Sequence, residues 1–323
     1  MNPSERCVMR SIGPNLLVLL LVGLSAPQAH AQTGSALLLK TWDEQKSAEV
    51  RHSSLILADG DSTGGDVDLR IYDASGRVRL DPEDERKRSL GFDFTYIDLG
   101  PSGSRLVDQS LGFGFGLGRA EGWEFALTAG LGYAGNNPFG DGTAFYGMGS
   151  LIASKELDER SNLQVILSYH GNRSIFPDVP LPAIAYSRRP SDTFQYTIGL
   201  PFSSMTWQPR ERLTVDLRYA IPLTMDATVR YEVREDIELF AGFFNRFQGF
   251  WIDGESRERR TFFRQRRVEA GVRWAPSDLV SLAVAGGFAF DQELQTGFDA
   301  RDLDTVSDLS DEPFVRLEAK FQF

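Results

Sequence analysis

Apolar residues recur at every second position through most of the chain. Leu90, Phe92, Phe94 and Tyr96 fall on one parity, as do Leu111, Phe113, Phe115 and Leu117. The longest such series runs Trp123, Phe125, Leu127, Ala129, Leu131, Tyr133. Further series start at Leu163, Leu213, Ala227, Val268 and Val280, and the chain ends on Pro313, Val315, Leu317, Ala319, Phe321 and Phe323 with Arg316, Glu318, Lys320 and Gln322 between them. Successive side chains of a strand point to opposite faces, so each segment is a strand with one apolar face and one polar or small one.

Two features decide what meets the apolar face. Trp123 and Tyr133 are ten residues apart on one face, roughly 33 Å at about 3.3 Å per residue. A tilt near 40° projects this to roughly 25 Å, the height of the lipid-facing band between aromatic girdles. The connections also alternate in length. Short ones fall at 119–122, 156–161, 209–212, 234–236 and 276–278, long ones near 100–107, 135–144, 171–182, 247–259 and 291–311. Membrane barrels have short turns at one rim and long loops at the other, and 222–225 is then the one short connection on the long-loop side. The expected fold is all-β, a transmembrane antiparallel up-and-down barrel of about 14 strands starting near Ser47, with 12 or 16 as alternatives because 35–80 has little pattern. The rival is a soluble sandwich.

The first residues favour the membrane. Arg6 and Arg10 precede the apolar run 16–24, and Ala29-His30-Ala31 offers a small-x-small cleavage site. Residues 1–31 are therefore expected to leave as a signal peptide, 32–46 to be a periplasmic segment and 47–323 to be the barrel. The apolar run is too short to span a bilayer, which takes about 20 residues. The one cysteine, Cys7, goes with the leader, so the mature chain has no thiol chemistry. One acid (Glu5) and two bases (Arg6, Arg10) leave too, moving the formal charge from −11 to −12. That balance argues against a nucleic-acid partner, which needs a basic surface.

The leader, the alternating strands and the terminal Phe321 and Phe323 together resemble a bacterial outer-membrane β-barrel over the whole mature chain. The resemblance implies an outer-membrane location, a carboxy-terminal signal at Phe321 and Phe323 for the barrel-assembly machinery, and contact with outer-membrane lipid and lipopolysaccharide. A shorter patch, Leu181-Pro182, Tyr186, Gly199-Leu200-Pro201-Phe202-Ser203 and Trp207-Gln208-Pro209, is similar to an uncharacterised barrel family known only as a domain of unknown function. It implies a fold and no catalytic residue.

The polar parity carries the candidate chemistry. Ser110, Gly112, Gly114, Gly116, Gly118, Ala126, Thr128, Gly130 and Gly132 make one wall nearly bare, whereas Asp216, Arg218, Arg230, Glu232, Glu238, Arg267, Glu269, Arg273, Arg316, Glu318 and Lys320 stud another. Glycines relieve crowding where a sheet curves and mixed charges pair across strands; alternatively a passage or pocket lies between the walls, its charges setting solute preference. The expectation is a passive channel or binding barrel for a small solute of unknown identity, without cofactor or metal. The alternatives are a non-conducting structural barrel and a rim hydrolase using His170 in Tyr169-His170-Gly171-Asn172-Arg173-Ser174. His52, in Arg51-His52-Ser53-Ser54, is the other mature histidine, and neither segment has the His-x-Ser-Asn-Gly pattern of barrel lipid hydrolases. Arg257, Arg259, Arg260, Arg264, Arg266 and Arg267 form either a solvated rim or a phosphate-binding patch for lipopolysaccharide.

Overall fold

The computed structural model describes residues 46–57, 60–62, 65–80, 88–100, 105–140, 142–221 and 224–323. The leader expected at 1–31 and all but the last residue of the periplasmic segment expected at 32–46 lie outside the described residues. The strands are β1 (Ala48–Leu57), β2 (Gly60–Ser62), β3 (Gly65–Val67), β4 (Arg70–Arg79), β5 (Ser89–Asp98), β6 (Arg105–Ala120), β7 (Trp123–Gly135), β8 (Phe145–Asp158), β9 (Ser161–His170) and β10 (Leu181–Ser191). There follow β11 (Phe194–Leu200), β12 (Phe202–Arg210), β13 (Leu213–Ala220), β14 (Thr224–Arg234), β15 (Ile237–Trp251), β16 (Arg260–Ser277), β17 (Val280–Gly297), β18 (Asp304–Leu309) and β19 (Glu312–Gln322).

All but three of these form a closed ring. Each strand pairs antiparallel with the next, β1 with β4 and β17 with β19, and the ring closes where β19 pairs with β1 from Glu49↔Gln322 to Leu57↔Phe314. The hairpin β2–β3 lies in the β1–β4 connection, and β18 pairs with the far end of β17. Sixteen strands therefore make the wall. The rim where β1 starts and β19 finishes is the inner rim; the other is the outer rim.

The surface is inverted relative to a soluble protein. Leu111, Leu131 and Val284 are 60, 71 and 56% exposed, whereas Asp73, Asp108, Arg267, Glu269 and Arg316 are buried. Closure pairs the strand edges that hydrocarbon would leave unsatisfied, and the apolar outside with polar inside is that of a transmembrane barrel. From β6 onward the inner-rim turns are two residues long. Between β6 and β7, Glu121 and Gly122 both have positive φ, 51° and 79°, as a two-residue type I′ hairpin turn requires.

Three expectations change. The wall has sixteen strands rather than 14, because 181–210, which offers no turn to a reading of connection lengths, folds into three strands. These join through Asp192 and Thr193 at the inner rim and through Pro201 alone at the outer rim, a second short outer connection. The loops expected at 247–259 and 291–311 are partly strand, since β15 continues to Trp251, β17 to Gly297, and β18 lies between Asp304 and Leu309. Finally, Tyr133 is not an exposed girdle residue: it is 2% exposed, its hydroxyl donates to the Asn137 carbonyl, and Phe139 and Phe145 pack on its ring.

Candidate functional site

The interior is built in two levels. At the inner and middle levels, inward side chains of β13–β16, β19 and β1 form a chain of ion pairs. Asp216 accepts from Arg230 Nε and Nη2 (3.0 and 2.5 Å) and from Thr206 (2.8 Å). Arg230 also faces Glu238 at 3.8 Å, Glu238 pairs with Arg273, and Arg273 reaches Glu318 at 4.0 Å. Glu318 accepts from Arg51 (2.6 Å) and Arg316 (2.5 Å); Arg316 continues to Glu269, which also meets Arg267 at 3.4 Å. Arg316 crosses over β17 to reach β16. It has room because β17 turns Ala283, Ala285 and Ala289 inward, all buried and small.

Eight of the eleven charged residues singled out from sequence thus belong to one connected network. Arg218 is half-buried on β13 opposite Asp226 in register, and Glu232 is exposed near the inner rim. Lys320 lies 3.6 Å from Glu49, which is also 3.7 Å from Arg77. The glycine wall is less open than its composition implies. A Cβ at Gly132 would lie 2.1 Å from the Tyr146 ring, and one at Gly130 would lie 2.7 Å from Met148 Cε. Side chains from β8 lie over the bare backbone of β7.

The outer level is different in kind. From 244 to 251 every residue of β15 is buried, on both faces. Trp251 pairs in parallel with Gly135 at the end of β7. Counted round the ring from β1, β7 is the fifth wall strand and β15 the thirteenth, so the two are opposite. The outer half of the β15–β16 hairpin therefore crosses the mouth. Gly135 permits the approach: a Cβ there would lie 3.1 Å from the Trp251 carbonyl oxygen.

One face of the hairpin grips the wall β4–β8. Arg246 Nη2 donates to Asp73 (2.7 Å), which also accepts from Thr95 (2.9 Å), and Gln248 donates to Asp108 (2.8 Å), which also accepts from Tyr146 (2.7 Å). Above these, Phe250 and Phe263 are fully buried in an apolar core with Leu57, Ile71, Ile97 and Leu106. On the other face Phe247 stacks on Phe262 at 5.1 Å. Arg260, 1% exposed, donates to Asn172 Oδ1 and to the carbonyls of Arg173 and Phe298, all at 2.9–3.0 Å, with its guanidinium over Phe262. Asn172 closes the circuit by donating to the Gly249 carbonyl (2.9 Å).

The remaining candidates fall into place around this hairpin. His170 is buried against the Tyr146 ring at 5.0 Å, and its Nδ1 accepts the Asn172 N–H at 3.2 Å. The arginine cluster is engaged internally: Arg264 and Arg266 meet Asp291 at 2.7 and 2.6 Å, Arg259 bonds Thr296, and Arg257 lies 3.9 Å from Asp178. In the last outer loop burial would raise the pKa of Asp299, but hydrogen bonds from the Arg301 side chain and N–H and from the Phe176 N–H outweigh it and hold the carboxyl below its ordinary value. Asp73, Asp108, Asn172, Arg246 and Gln248 are the site residues that sequence reasoning missed. The available signal was aromatic density, Phe243, Phe244, Phe247, Phe250 and Trp251, running into the stretch expected to be loop from 247.

No protein-family model matches the chain, and no curated relative does. Among solved structures it is similar to the toluene transporter TodX of Pseudomonas putida, with a TM-score of 0.41 and 10% identity over 92% of this chain and 93% of that one. It is similar also to the outer membrane protein Omp33 of Acinetobacter baumannii (0.38, 10%, 86% and 98%) and to a FadL homologue of Pseudomonas aeruginosa (0.40, 11%, 86% and 91%). The barrel assignment rests on the strand register and the inverted surface described above.

Proposed function

We propose that this protein is an outer-membrane channel for a small solute, held closed at rest by its own β15–β16 hairpin. One observation carries the reading: the uninterrupted burial of 244–251 as the strand crosses to the opposite wall. A ring of 16–18 strands encloses an aqueous channel unless something fills it, and here the filling is part of the wall. The charged network beneath offers a moving solute successive cationic and anionic groups. A permanently closed structural barrel is the second reading, favoured by the apolar core around Phe250 and Phe263.

Planar-bilayer conductance separates the two. Replacing 247–264 with an Asn-Gly turn leaves the Arg246↔Gln265 pair beside the turn and shortens β15 and β16 to the height of the wall. The channel reading expects rare openings from the intact protein and steady conductance, at least tenfold higher on average, from the shortened one. Complete silence of the intact protein across a range of voltages, with conductance only after excision, favours the structural barrel.

A further inference from the structure

The lipid-facing surface of β1 carries a polar pair at mid-depth. Odd positions Arg51, Ser53 and Leu55 point inward, and Val50, His52, Ser54 and Ile56 point outward. His52 Nε2 and Ser54 Oγ are 2.9 Å apart. Their depth follows from register. His52 pairs with Ala319 and Ser54 with Leu317 on β19, whose outward residues run from Pro313 to Phe323. The pair therefore straddles the centre of that strand, about 12 Å from either edge of an apolar band roughly 25 Å tall.

Hydrocarbon gives such a pair nothing to bond. The imidazole has two polar nitrogens and the hydroxyl one donor and two acceptor sites, so the single bond between them leaves most of that capacity unused, and among the described residues no other hydrogen bond is made by either side chain. Polar side chains facing lipid are costly and are found where they meet a protein partner. Ester hydrolysis does not fit the depth, because lipid ester groups lie in the interfacial layer outside the hydrocarbon core.

We propose that the β1 face is a homodimer interface, in which the His52–Ser54 pair of one copy meets and bonds to the same pair of a second. A two-fold axis along the membrane normal brings residues of equal depth together, so a polar pair at mid-bilayer meets an equally polar pair without a second protein having to evolve one. The immediate surroundings allow close approach. His52 is flanked by Ala74 on β4 and Ala319 on β19, so no large side chain stands beside the ring in either neighbouring strand.

Cysteine cross-linking in native outer membranes tests this, since the mature chain is expected to lack cysteine. Under oxidation Ile56→Cys, on the same outward face beside the pair and leaving His52 and Ser54 in place, should give a disulfide-linked species of twice the monomer mass, in yield at least tenfold above Ile198→Cys, which sits on the exposed face of the opposite strand β11. In lipid nanodiscs the intact protein should count as two subunits and the double variant His52→Leu, Ser54→Val as one, with heat-modifiable gel mobility verifying that the variant is folded. Equal cross-linking at positions 56 and 198, a wild-type monomer in nanodiscs, or a cross-linked species of any other mass would overturn the proposal. So would fatty-acid release from phospholipid vesicles that is lost in Ser54→Ala, which would make the pair an esterase.

Discussion

The inner and outer halves of β15 and β16 are continuous in chain and hydrogen bonding yet obey different rules. In the inner half, outward Leu239, Val268 and Val272 are exposed to lipid while Phe240, Arg267 and Glu269 are buried inside. In the outer half, Phe247 and Phe262 on one face and Phe250 and Phe263 on the other are all at most 1% exposed. Alternation of polarity is thus a property of a wall between two solvents rather than of a strand. Where a strand leaves the wall, both faces meet protein and the alternation ends, although the ladder continues without a break from Trp251↔Arg260 to Ile237↔Trp274. Interior chemistry changes at the same level, from an ion-pair network to an apolar core held by a few buried polar clasps.

Truncations on the two faces of the outer half should break this comparison most visibly. Phe262→Ala and Phe263→Ala should each cost about 3–5 kcal/mol, as deletion of a buried aromatic does on either side of a packed layer. Val272→Ala in the inner half should cost less than about 1 kcal/mol, since lipid tails are as apolar as the side chain they replace. Reversible unfolding in lipid vesicles reads all three; a small effect for either phenylalanine would return that face to solvent.

Nearly as large is the clasp. Arg246→Ala should cost roughly 3–5 kcal/mol, because it takes the guanidinium away from the buried Asp73 carboxylate, for which the Thr95 hydroxyl is no substitute as a counter-charge. Lys320→Ala, whose partner Glu49 keeps Arg77, should cost about 0–1 kcal/mol in the same assay, as for a hydrated pair. Parity of the wall itself gives a third contrast: Leu127→Arg, on the lipid face, should cost about 2–4 kcal/mol, and Thr128→Arg, pointing inward, less. Reversed sensitivities would place β7 one residue out of register. The smallest effect is one of selectivity. In the hairpin-shortened barrel, neutralising Arg218, Arg230 and Arg267 together should move reversal potentials a few-fold toward cation preference, because Asp216 loses Arg230, Asp226 loses the arginine opposite it, and Glu269 keeps Arg316 but loses Arg267.

Much of the wall was legible because its period is two and its partners are neighbours in sequence. The parity that set Arg267, Glu269, Arg316 and Glu318 inside needed only a count along each strand. The strands β10–β12 were not separable, since Pro182, Pro190, Pro201 and Pro209 interrupt the pattern and the turns between them are one or two residues. The mouth was illegible for another reason. Asn137 meets Asp253 across 116 residues of chain, and no local period encodes a contact between opposite walls. What the sequence did carry, five aromatics within nine residues before Ile252, signals burial without naming the surface that provides it.

Locking the hairpin in place tests the closed-mouth account most directly. The Asp253 N–H bonds Asn136 Oδ1 at 2.8 Å where the hairpin tip meets the end of β7, so cysteines at these two positions, Asn136→Cys and Asp253→Cys, can be oxidised to tie the tip to the far wall. Planar-bilayer recordings should show no openings from the oxidised protein and restored openings after reduction, with each single variant indifferent to redox state. Equal conductance from the oxidised and reduced double variant would contradict the account, because the hairpin would then not be what closes the barrel.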